Sequence, residues 1–575
     1  MSFRVFNSID MVVIIDTSTW KVEKFEKGGM WYHYNNINPP ILYTIFQRSP
    51  ERPLVLHAPY TEFLTEDGDA FIDDAALQSY LDFVFRDSSA NELRGLSKSA
   101  FGELTVETMA PVVQMTAVYG LTPKARTVTI GSGTAGASGN LFFASTGSST
   151  NSIAALFTER QLHYRAGQGA LARGTAMFST PKIGSGQNWG LATAADALYF
   201  GYNSSAVFGI IRRFDGHVII QKLTITTPAT GGENATVTIN GTPYTVPLTS
   251  GSAVHNTNEI TNSLNAQVPV WVFSQNNGFV IARSLLSDPA TGSFTLSSAT
   301  AEGTFAEVSD GVVPSEEFIP QTSWSIDKMD GSGESGMTLD PQKGNVYQIS
   351  FQYLGFGNLH FFIENSLLGT FQEVHQMSYA NNNITPSVSN PTFRINWGVD
   401  NTTNDTDITL QGASCAAFIE GDIVHTEAGH SVRITKNIGT GVSTNILTIR
   451  NRTVFGSNVN LSQVIPQLIT AFTDTSKGAV ISICKGTVLN PITLGGTPNF
   501  QYHDELNSIV EIDTDGTTVT GGDQVHSLIA GQSAEVDLRD FDELLLSGET
   551  LTIAAIIISG SAADVTVTNN WGEDL

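Results

Sequence analysis

The sequence predicts a mainly β protein. We expect several antiparallel β-sandwich domains of the jelly-roll type, a small α+β insertion, and a small N-terminal β domain closed by one helix. The clearest signal is period-two alternation on both sides of the turn at 355–358, which is typical of an antiparallel hairpin. The alternating apolar residues are Ile349, Phe351, Tyr353, Leu359, Phe361 and Ile363. Composition agrees, because only 15% of residues are charged and 53 are glycines, which suits short strands joined by tight turns.

A chain of 575 residues is too long for one ordinary domain. We divide it into an N-terminal domain (1–90), a sandwich in two halves (92–220 and 323–420), an inserted α+β subdomain (221–312) and a C-terminal β domain (421–575). The N-terminal domain contains the clearest helical pattern. Asp73 and Asp74 can cap that helix, and its apolar face is Leu77, Tyr80, Leu81, Val84 and Phe85.

The residue pattern of the inserted subdomain differs from that of the segments around it. Asn240-Gly241 predicts a tight turn between two strands, and Val254 to Leu264 predicts a helix. The sandwich resumes near Trp324. In the C-terminal domain we predict short strands and one helix near Ile465 to Phe472, which starts at Pro466 because proline suits the first helical turn.

Charge and cysteine content restrict the partners. The 55 acidic and 29 basic residues give a net charge of −26, which argues against nucleic acid and against anionic membranes. The apolar run around Ile553 to Ile558 is far too short to span a bilayer, so no membrane insertion is expected. The two cysteines, Cys415 and Cys484, cannot form a disulfide framework and are expected to be buried free thiols in a protein folded in a reducing cytoplasm.

Several segments resemble a recurrent module of structural proteins in tailed-phage and other virions. They are 163–170 (HYRAGQGA), 199–203 (YFGYN), 343–355 (KGNVYQISFQYLG), 379–381 (YAN) and the tail 570–574 (NWGED). The resemblance covers residues 92–575 and implies a virion structural protein of the tail-fibre kind, assembled in the host cytoplasm. By elimination, residues 1–90 would attach it to other virion proteins.

Motifs for catalysis and cofactors are absent from the sequence. It contains no GxxxxGK[ST] loop, no HExxH and no GxSxG elbow. The acidic stretch Asp327 to Ser335 fails the calcium-loop pattern and is read as a solvated loop. We therefore expect no enzyme activity, no cofactor and no metal site. A glycan depolymerase stays open as an alternative, although it would need two carboxylates at a fixed separation.

Sugar binding is the chemistry that the sequence leaves open. Sugar rings stack on aromatic side chains, and Asn, Gln and Asp bond their hydroxyls. One candidate cluster is Tyr199, Tyr202 and Asn203; the other is Tyr379, Asn381, Asn382 and Trp397. The alternative is that these aromatics are sandwich core or subunit contacts.

The sequence as a whole leads to a functional hypothesis. We expect a non-enzymatic fibre, spike or peripheral tail appendage that contributes to host-surface attachment, with host glycan as a candidate partner. A capsid decoration or collar protein with a purely assembly role is the alternative. Because long sandwiches cover their edge strands by symmetric packing, a homo-oligomer is expected, with a trimer as the first guess.

Overall fold

The computed structural model describes the backbone of 3–8, 11–16, 21–27 and 30–33, and the complete residues of 109–285, 293–421, 428–473, 478–487, 490–539, 543–558 and 560–574. The chain divides into two units, Met1–Ser97 and Lys98–Leu575. The predicted fold class is confirmed, since nearly all described elements are antiparallel strands.

The first unit contains a four-stranded antiparallel meander in the order β1-β2-β3-β4. Its strands are β1 (Phe3–Ser8), β2 (Met11–Asp16), β3 (Lys21–Lys27) and β4 (Met30–His33). The predicted helix from Leu77 to Phe85 lies outside the described residues, as does most of the predicted attachment domain.

The second unit begins with nine strands: β5 (Met109–Thr116), β6 (Ala125–Ile130), β7 (Thr134–Ser138), β8 (Leu141–Ser145), β9 (Ser152–Thr158), β10 (Ala170–Phe178), β11 (Ser185–Ala192), β12 (Ala197–Tyr202) and β13 (Phe208–Phe214). Next come β14 (Ile220–Thr227), β15 (Glu233–Ile239), β16 (Thr242–Leu248), helix α1 (Ala253–Gln267), β17 (Trp271–Asn276), β18 (Phe279–Ser284), β19 (Phe294–Ser297) and β20 (Glu302–Ser309). They are followed by β21 (Ser315–Pro320), β22 (Asn345–Phe351), β23 (Leu359–Asn365), β24 (Thr370–Met377), β25 (Arg394–Asn401), β26 (Thr409–Gly412) and β27 (Ser414–Glu420).

The remaining strands are β28 (Ala428–Ile438), β29 (Thr444–Asn451), β30 (Val454–Phe455), β31 (Asn458–Val459), β32 (Gln463–Thr473), β33 (Ala479–Gly486), β34 (Ile492–Leu494), β35 (Gln501–Tyr502), β36 (Val510–Asp513), β37 (Val519–Gly521), β38 (Asp523–Ala530), β39 (Ser533–Asp537), β40 (Thr550–Ile557) and β41 (Ala563–Asp574). Among the described residues, no helix has the length and apolar character that crossing a membrane demands.

The central sandwich (109–214 and 315–420) consists of two sheets with one core between them. One sheet has nine strands, with the path β24-β23-β22-β10-β26-β8-β7, with β27 paired to β10 and β5 paired to β27. The other sheet has seven strands, in the order β21-β13-β12-β11-β25-β9-β6. Trp189, Trp397 and Tyr347 are among the largest fully buried side chains of the core. Strand β10 pairs with β22, so segments on both sides of the insertion build one sheet.

The predicted hairpin is confirmed. β22 pairs antiparallel with β23, and Ile349 lies opposite Phe361 in the register. Both of these side chains are buried in the sandwich core. The chain reverses through Leu354 and Gly355, which have φ angles of 38° and 80°. The alternating pattern therefore located both the strands and the turn.

The inserted unit (220–309) packs helix α1 with two small sheets, β17-β18-β14-β20 and β16-β15-β19. The predicted helix is confirmed, and the Ser252 hydroxyl caps it by accepting from the His255 backbone N–H. The predicted turn is also confirmed, because Asn240 and Gly241 have φ angles of 49° and 81° between β15 and β16. Two positive φ angles in succession are typical of a type I′ turn.

The C-terminal domain (428–574) is a second sandwich, with one sheet in the order β28-β41-β32-β39 and another in the order β35-β36-β29-β40-β33-β38. The helix predicted near Ile465 to Phe472 is wrong, because this segment is strand β32. Ile469 and Ala471 point into the core while Phe472 is exposed, which is strand alternation. Pro466 is tolerated because it lies at an irregularity in the β32–β41 pairing.

Candidate functional site

The first predicted sugar-binding cluster is split between the two faces of a sheet. On β12, Tyr202 points into the sandwich core, with its ring centroid 5.0 Å from that of Phe208. Tyr199, three residues earlier, lies on the opposite face and packs beside Ile211. Asn203 closes the following turn, where its Oδ1 accepts from the Val207 N–H at 3.0 Å. The three residues therefore form no common surface.

The second cluster is divided between the core and a loop. Trp397 is 0% exposed, and its indole N–H donates to the Thr175 carbonyl at 2.9 Å. Tyr379 is buried and donates its hydroxyl hydrogen to the Pro386 carbonyl at 3.1 Å. Asn382 is exposed in the same loop, as is Asn381, which has a φ of 62°. Trp397 presents no ring face to a solute in this structure.

The neighbour of Trp397, Asn396, lies on the opposite face of the strand but is also buried. Asn396 lies on the outer face of the seven-stranded sheet, and its Nδ2 donates to the Tyr199 hydroxyl oxygen at 3.2 Å. Successive residues of a strand point to opposite faces, so a one-residue offset places the indole in the core and the amide on the outer face, where it is buried against Tyr199.

A different site joins aromatic and polar side chains. We call it the junctional cleft, a cavity of about 460 Å³ between the inserted unit and the C-terminal domain. A volume of this size falls within the range of ligand pockets, which often form between domains. Its lining residues are Lys222, Asn276, Asn277, Phe279, Gln501, Tyr502, His503, Asp504 and Glu505.

The wall of the inserted unit is built by β14 and β18. In their antiparallel register Lys222 lies opposite Ile281, and Thr224 lies opposite Phe279. Lys222 and Phe279 therefore share one face, and the Lys222 ammonium lies 3.9 Å from the centre of the Phe279 ring. This distance is typical of a cation–π contact.

The opposite wall comes from β35 of the C-terminal domain. The Tyr502 ring lies 6.2 Å from the Phe279 ring, at an interplanar angle of 51°. Behind Tyr502, the Arg452 guanidinium lies 3.9 Å from the ring centre and donates to the carbonyls of Glu505 and Ser508. Arg452 therefore fixes both the ring and the loop that follows it.

Buried hydrogen bonds hold the two walls together. The Ser274 and Thr453 hydroxyls are 2.9 Å apart, and Asn276 Nδ2 donates to Glu511 Oε1 at 2.8 Å. All four residues are buried. A buried polar group left unpaired costs about 1–3 kcal/mol, so these bonds strongly favour a fixed spacing between the walls.

The titratable groups of the cleft have shifted pKa values. Burial raises the pKa of Tyr502, so its hydroxyl stays protonated and can donate a hydrogen bond. Burial, together with the nearby His430, lowers the pKa of His503 and favours its neutral form. Hydrogen bonds from Asn507 and Leu506 lower the pKa of Asp504, which opposes the raised pKa that a glycosidase acid needs. The cleft is suited to binding hydroxyl groups.

The tail segment Trp571 to Asp574 lies behind the His503 wall. The Trp571 ring is 5.0 Å from the His503 ring. Glu573 is 1% exposed, and its carboxylate accepts from the Ser508 hydroxyl at 2.6 Å, the Trp571 indole N–H at 2.8 Å and the Ile509 backbone N–H at 2.7 Å. The tail therefore supports the loop that forms one wall of the cleft.

Asp574 connects the same tail to the central sandwich. Its Oδ2 accepts from Arg165 Nη2 at 2.8 Å and lies 3.3 Å from His163 Nε2. Both partners belong to the segment 163–170, and Asp574 to the tail 570–574, two of the segments that carry the virion resemblance. No group of three or more His, Cys, Asp or Glu side chains suited to a metal ion occurs in the described parts of the chain.

Sequence reasoning missed Lys222, Phe279 and Tyr502. The cleft joins segments that are far apart, since Asn276 and its partner Glu511 are separated by 235 positions. A local signal existed in Asn276-Asn277-Gly278-Phe279 and in Gln501-Tyr502-His503-Asp504, where amide and aromatic residues are adjacent. Nothing in either segment indicates that the other lies opposite.

Comparisons with known proteins show no family. No protein-family model matches the chain, and no curated protein matches it. Among solved structures, the chain is similar to the Emp47p carbohydrate recognition domain, with 9% identity, a TM-score of 0.20 and coverage of 55% of this chain and 95% of that one. The exoplasmic/lumenal domain of VIP36, in a Ca²⁺/Man3GlcNAc-bound form, is 8% identical, with a TM-score of 0.21 and coverage of 55% of this chain and 92% of that one. VP2 of infectious bursal disease virus, in a subviral particle, is 9% identical, with a TM-score of 0.12 and coverage of 71% of this chain and 82% of that one. TM-scores this low carry no argument about function.

Proposed function

We propose that the chain is a non-enzymatic virion structural protein, a fibre, spike or peripheral tail appendage that contributes to host attachment by binding a surface glycan. The observation that carries the binding role is the junctional cleft, where Phe279 and Tyr502 stand beside amide and hydroxyl groups. The virion role rests on the sequence resemblance. Attachment through residues 1–90 and assembly as a homo-oligomer, a trimer first, belong to the same proposal.

The chemistry of the cleft supports sugar over a purely apolar ligand. Stacking on an aromatic face needs a flat apolar surface, which a pyranose ring offers on one side. Hydroxyl groups at its rim can reach the Asn277 and Gln501 amides and the protonated Tyr502 hydroxyl. An apolar ligand would displace water from these polar groups without replacing its hydrogen bonds.

The test is a screen of the full chain against an array of oligosaccharides, followed by calorimetric titration of the tightest binder. Replacing either ring, in Phe279→Ala or Tyr502→Ala, should weaken binding by about 1–2 kcal/mol, or roughly 5- to 30-fold in Kd. The control is Tyr119→Ala, because Tyr119 is 85% exposed and lies outside the cleft. A Kd that neither cleft substitution changes would remove the cleft from the proposal.

Placement in the particle is tested separately by cryo-electron microscopy of the intact virion. Density for the chain at an exposed tail or fibre position supports attachment. Density inside the capsid or at an internal joint of the tail would leave the chain an assembly role only.

A further inference from the structure

We infer that Lys222 makes the junctional cleft selective for sugars that carry a carboxylate, such as a uronic acid residue. The inference rests on the proposed glycan binding and adds to it the chemical class of the ligand.

Among the described residues, no carboxylate lies within ion-pair distance of Lys222, in contrast with Lys485 and Lys343. Lys485 lies 3.5 Å from a carboxylate oxygen of Glu543, and Lys343 lies 3.5 Å from one of Asp340. Lys436 donates to three backbone carbonyls. Within the described residues, the Lys222 ammonium contacts the Phe279 ring, and no carboxylate of these residues forms an ion pair with Lys222.

Lys222 lines the cleft, where a bound ligand can reach its ammonium group. The side chain is half-buried, and its ammonium group lies over the Phe279 face at 3.9 Å. Its three N–H donors are not satisfied by that ring, because a cation–π contact uses none of them as a conventional hydrogen bond. Because the ammonium group covers one face of the Phe279 ring, a sugar in the cleft would lie beside that face, with an exocyclic substituent directed toward these donors.

The opposite side of the cleft would orient such a ligand. Asp504 and Glu505 lie there, and the hydrogen bonds that lower the pKa of Asp504 keep it charged. These carboxylates repel an acidic substituent and accept from hydroxyl groups, so the sugar carboxylate is directed toward Lys222. More distant charges matter less, since the Debye length is about 8 Å at physiological ionic strength.

The experiment uses a matched pair of probes, tetraglucuronate and the neutral tetrasaccharide made by reducing its carboxylates to primary alcohols. Both are titrated into the full chain and into Lys222→Gln and Lys222→Arg. We expect the wild type to bind the acidic probe about tenfold more tightly than the neutral one. Lys222→Gln should abolish that preference while keeping affinity for the neutral probe, and Lys222→Arg should retain most of it.

Three outcomes would contradict the selectivity, the role of Lys222 or glycan binding itself. Equal affinity of the wild type for the two probes overturns the selectivity and leaves glycan binding intact. A preference that survives in Lys222→Gln assigns it to another residue. If the wild type binds neither probe and no sugar on the array, the proposed function fails together with the inference. Circular dichroism of each variant checks that it is folded.

Discussion

Trp397 fills the middle of the central sandwich, where both faces of its ring are covered. Its neighbours include Phe142, whose ring centre is 5.8 Å away, and its indole N–H is paired with Thr175. Removing the ring leaves a large cavity and an unpaired carbonyl. We expect Trp397→Ala to lower the free energy of unfolding by about 3–5 kcal/mol.

Urea unfolding followed by near-ultraviolet circular dichroism measures this loss. Ile384→Ala is the control, because Ile384 is 97% exposed and its replacement should change stability by less than about 0.5 kcal/mol. An unchanged unfolding midpoint in Trp397→Ala would contradict a core role for this residue.

At this scale the sequence identifies residue types better than it identifies their orientation. Aromatic and amide residues are adjacent in 199–203 and 396–397, and both patterns fit sugar contact equally well. Which of two adjacent residues faces the core depends on the register with the neighbouring strand. For Tyr199, Tyr202 and Trp397, packing between the two sheets determines which side chains face the core. The local sequence of one strand does not show which strands pair with it, so it does not contain that information.

The last strand, β41, connects the C-terminal domain to the central sandwich through the carboxylate of Asp574. Burial alone would raise the pKa of Asp574, but the hydrogen bond and charge of His163 and the charge of Arg165 outweigh it and lower this pKa to about 2. A carboxyl group whose pKa is depressed in the folded state stabilises the fold above its unfolded pKa, near 4. This contribution is lost as the pH falls from about 4 to about 2.

The corresponding variant is Asp574→Asn. We expect it to be less stable than the wild type by about 2 kcal/mol at pH 7, and the difference should shrink as the pH falls below about 4. Denaturant unfolding at pH 7, 5 and 3 measures it. Asp405→Asn, at an exposed carboxylate, serves as the control. A difference of equal size at pH 7 and pH 3 would show that the charge of Asp574 is not the cause.

Elements with a strong local pattern could be predicted. The hairpin β22–β23, the helix α1 and the turn at Asn240-Gly241 each have their signal within a few residues. Strand β32 could not, because Pro466 at its start fits a first helical turn as well as an irregular strand position. The pairing of β32 with β41, almost a hundred residues later, decides between them.

The whole molecule contains a unit inserted in another, and its independence is still a prediction. The strands on either side, β13 and β21, pair antiparallel, with Phe214 opposite Ser315. Replacing residues 221–312 with a short Gly/Ser linker should therefore leave the central sandwich folded. The C-terminal domain should lose stability, since Thr453 and Glu511 lose their partners in the inserted unit.

Thermal unfolding distinguishes these two effects. The transition of the central sandwich should be retained, and the transition of the C-terminal domain should move to a lower temperature. The matched control is the intact chain with Ser274→Ala and Asn276→Ala, which should lower the same second transition. Complete unfolding of the deletion variant would show that the sandwich depends on the insertion. At this scale the sequence indicated a change in residue pattern near 221. The cleft between the inserted unit and the C-terminal domain could not be predicted, because it depends on contacts between segments that are far apart in the sequence.

Strand β10 has a consequence for the order in which the chain folds. It lies next to β22, β26 and β27, and the Thr175 hydroxyl donates to a carbonyl 239 residues later, at Ser414. At about 5–20 residues per second, a ribosome needs roughly 10–50 s to synthesise that interval. The sheets of the inserted unit are complete by Ser309. The inserted unit is therefore expected to fold first, before the strands that pair with β10 of the central sandwich have all been synthesised. During this interval β10 has unpaired edges, and the nascent chain is most prone to aggregation.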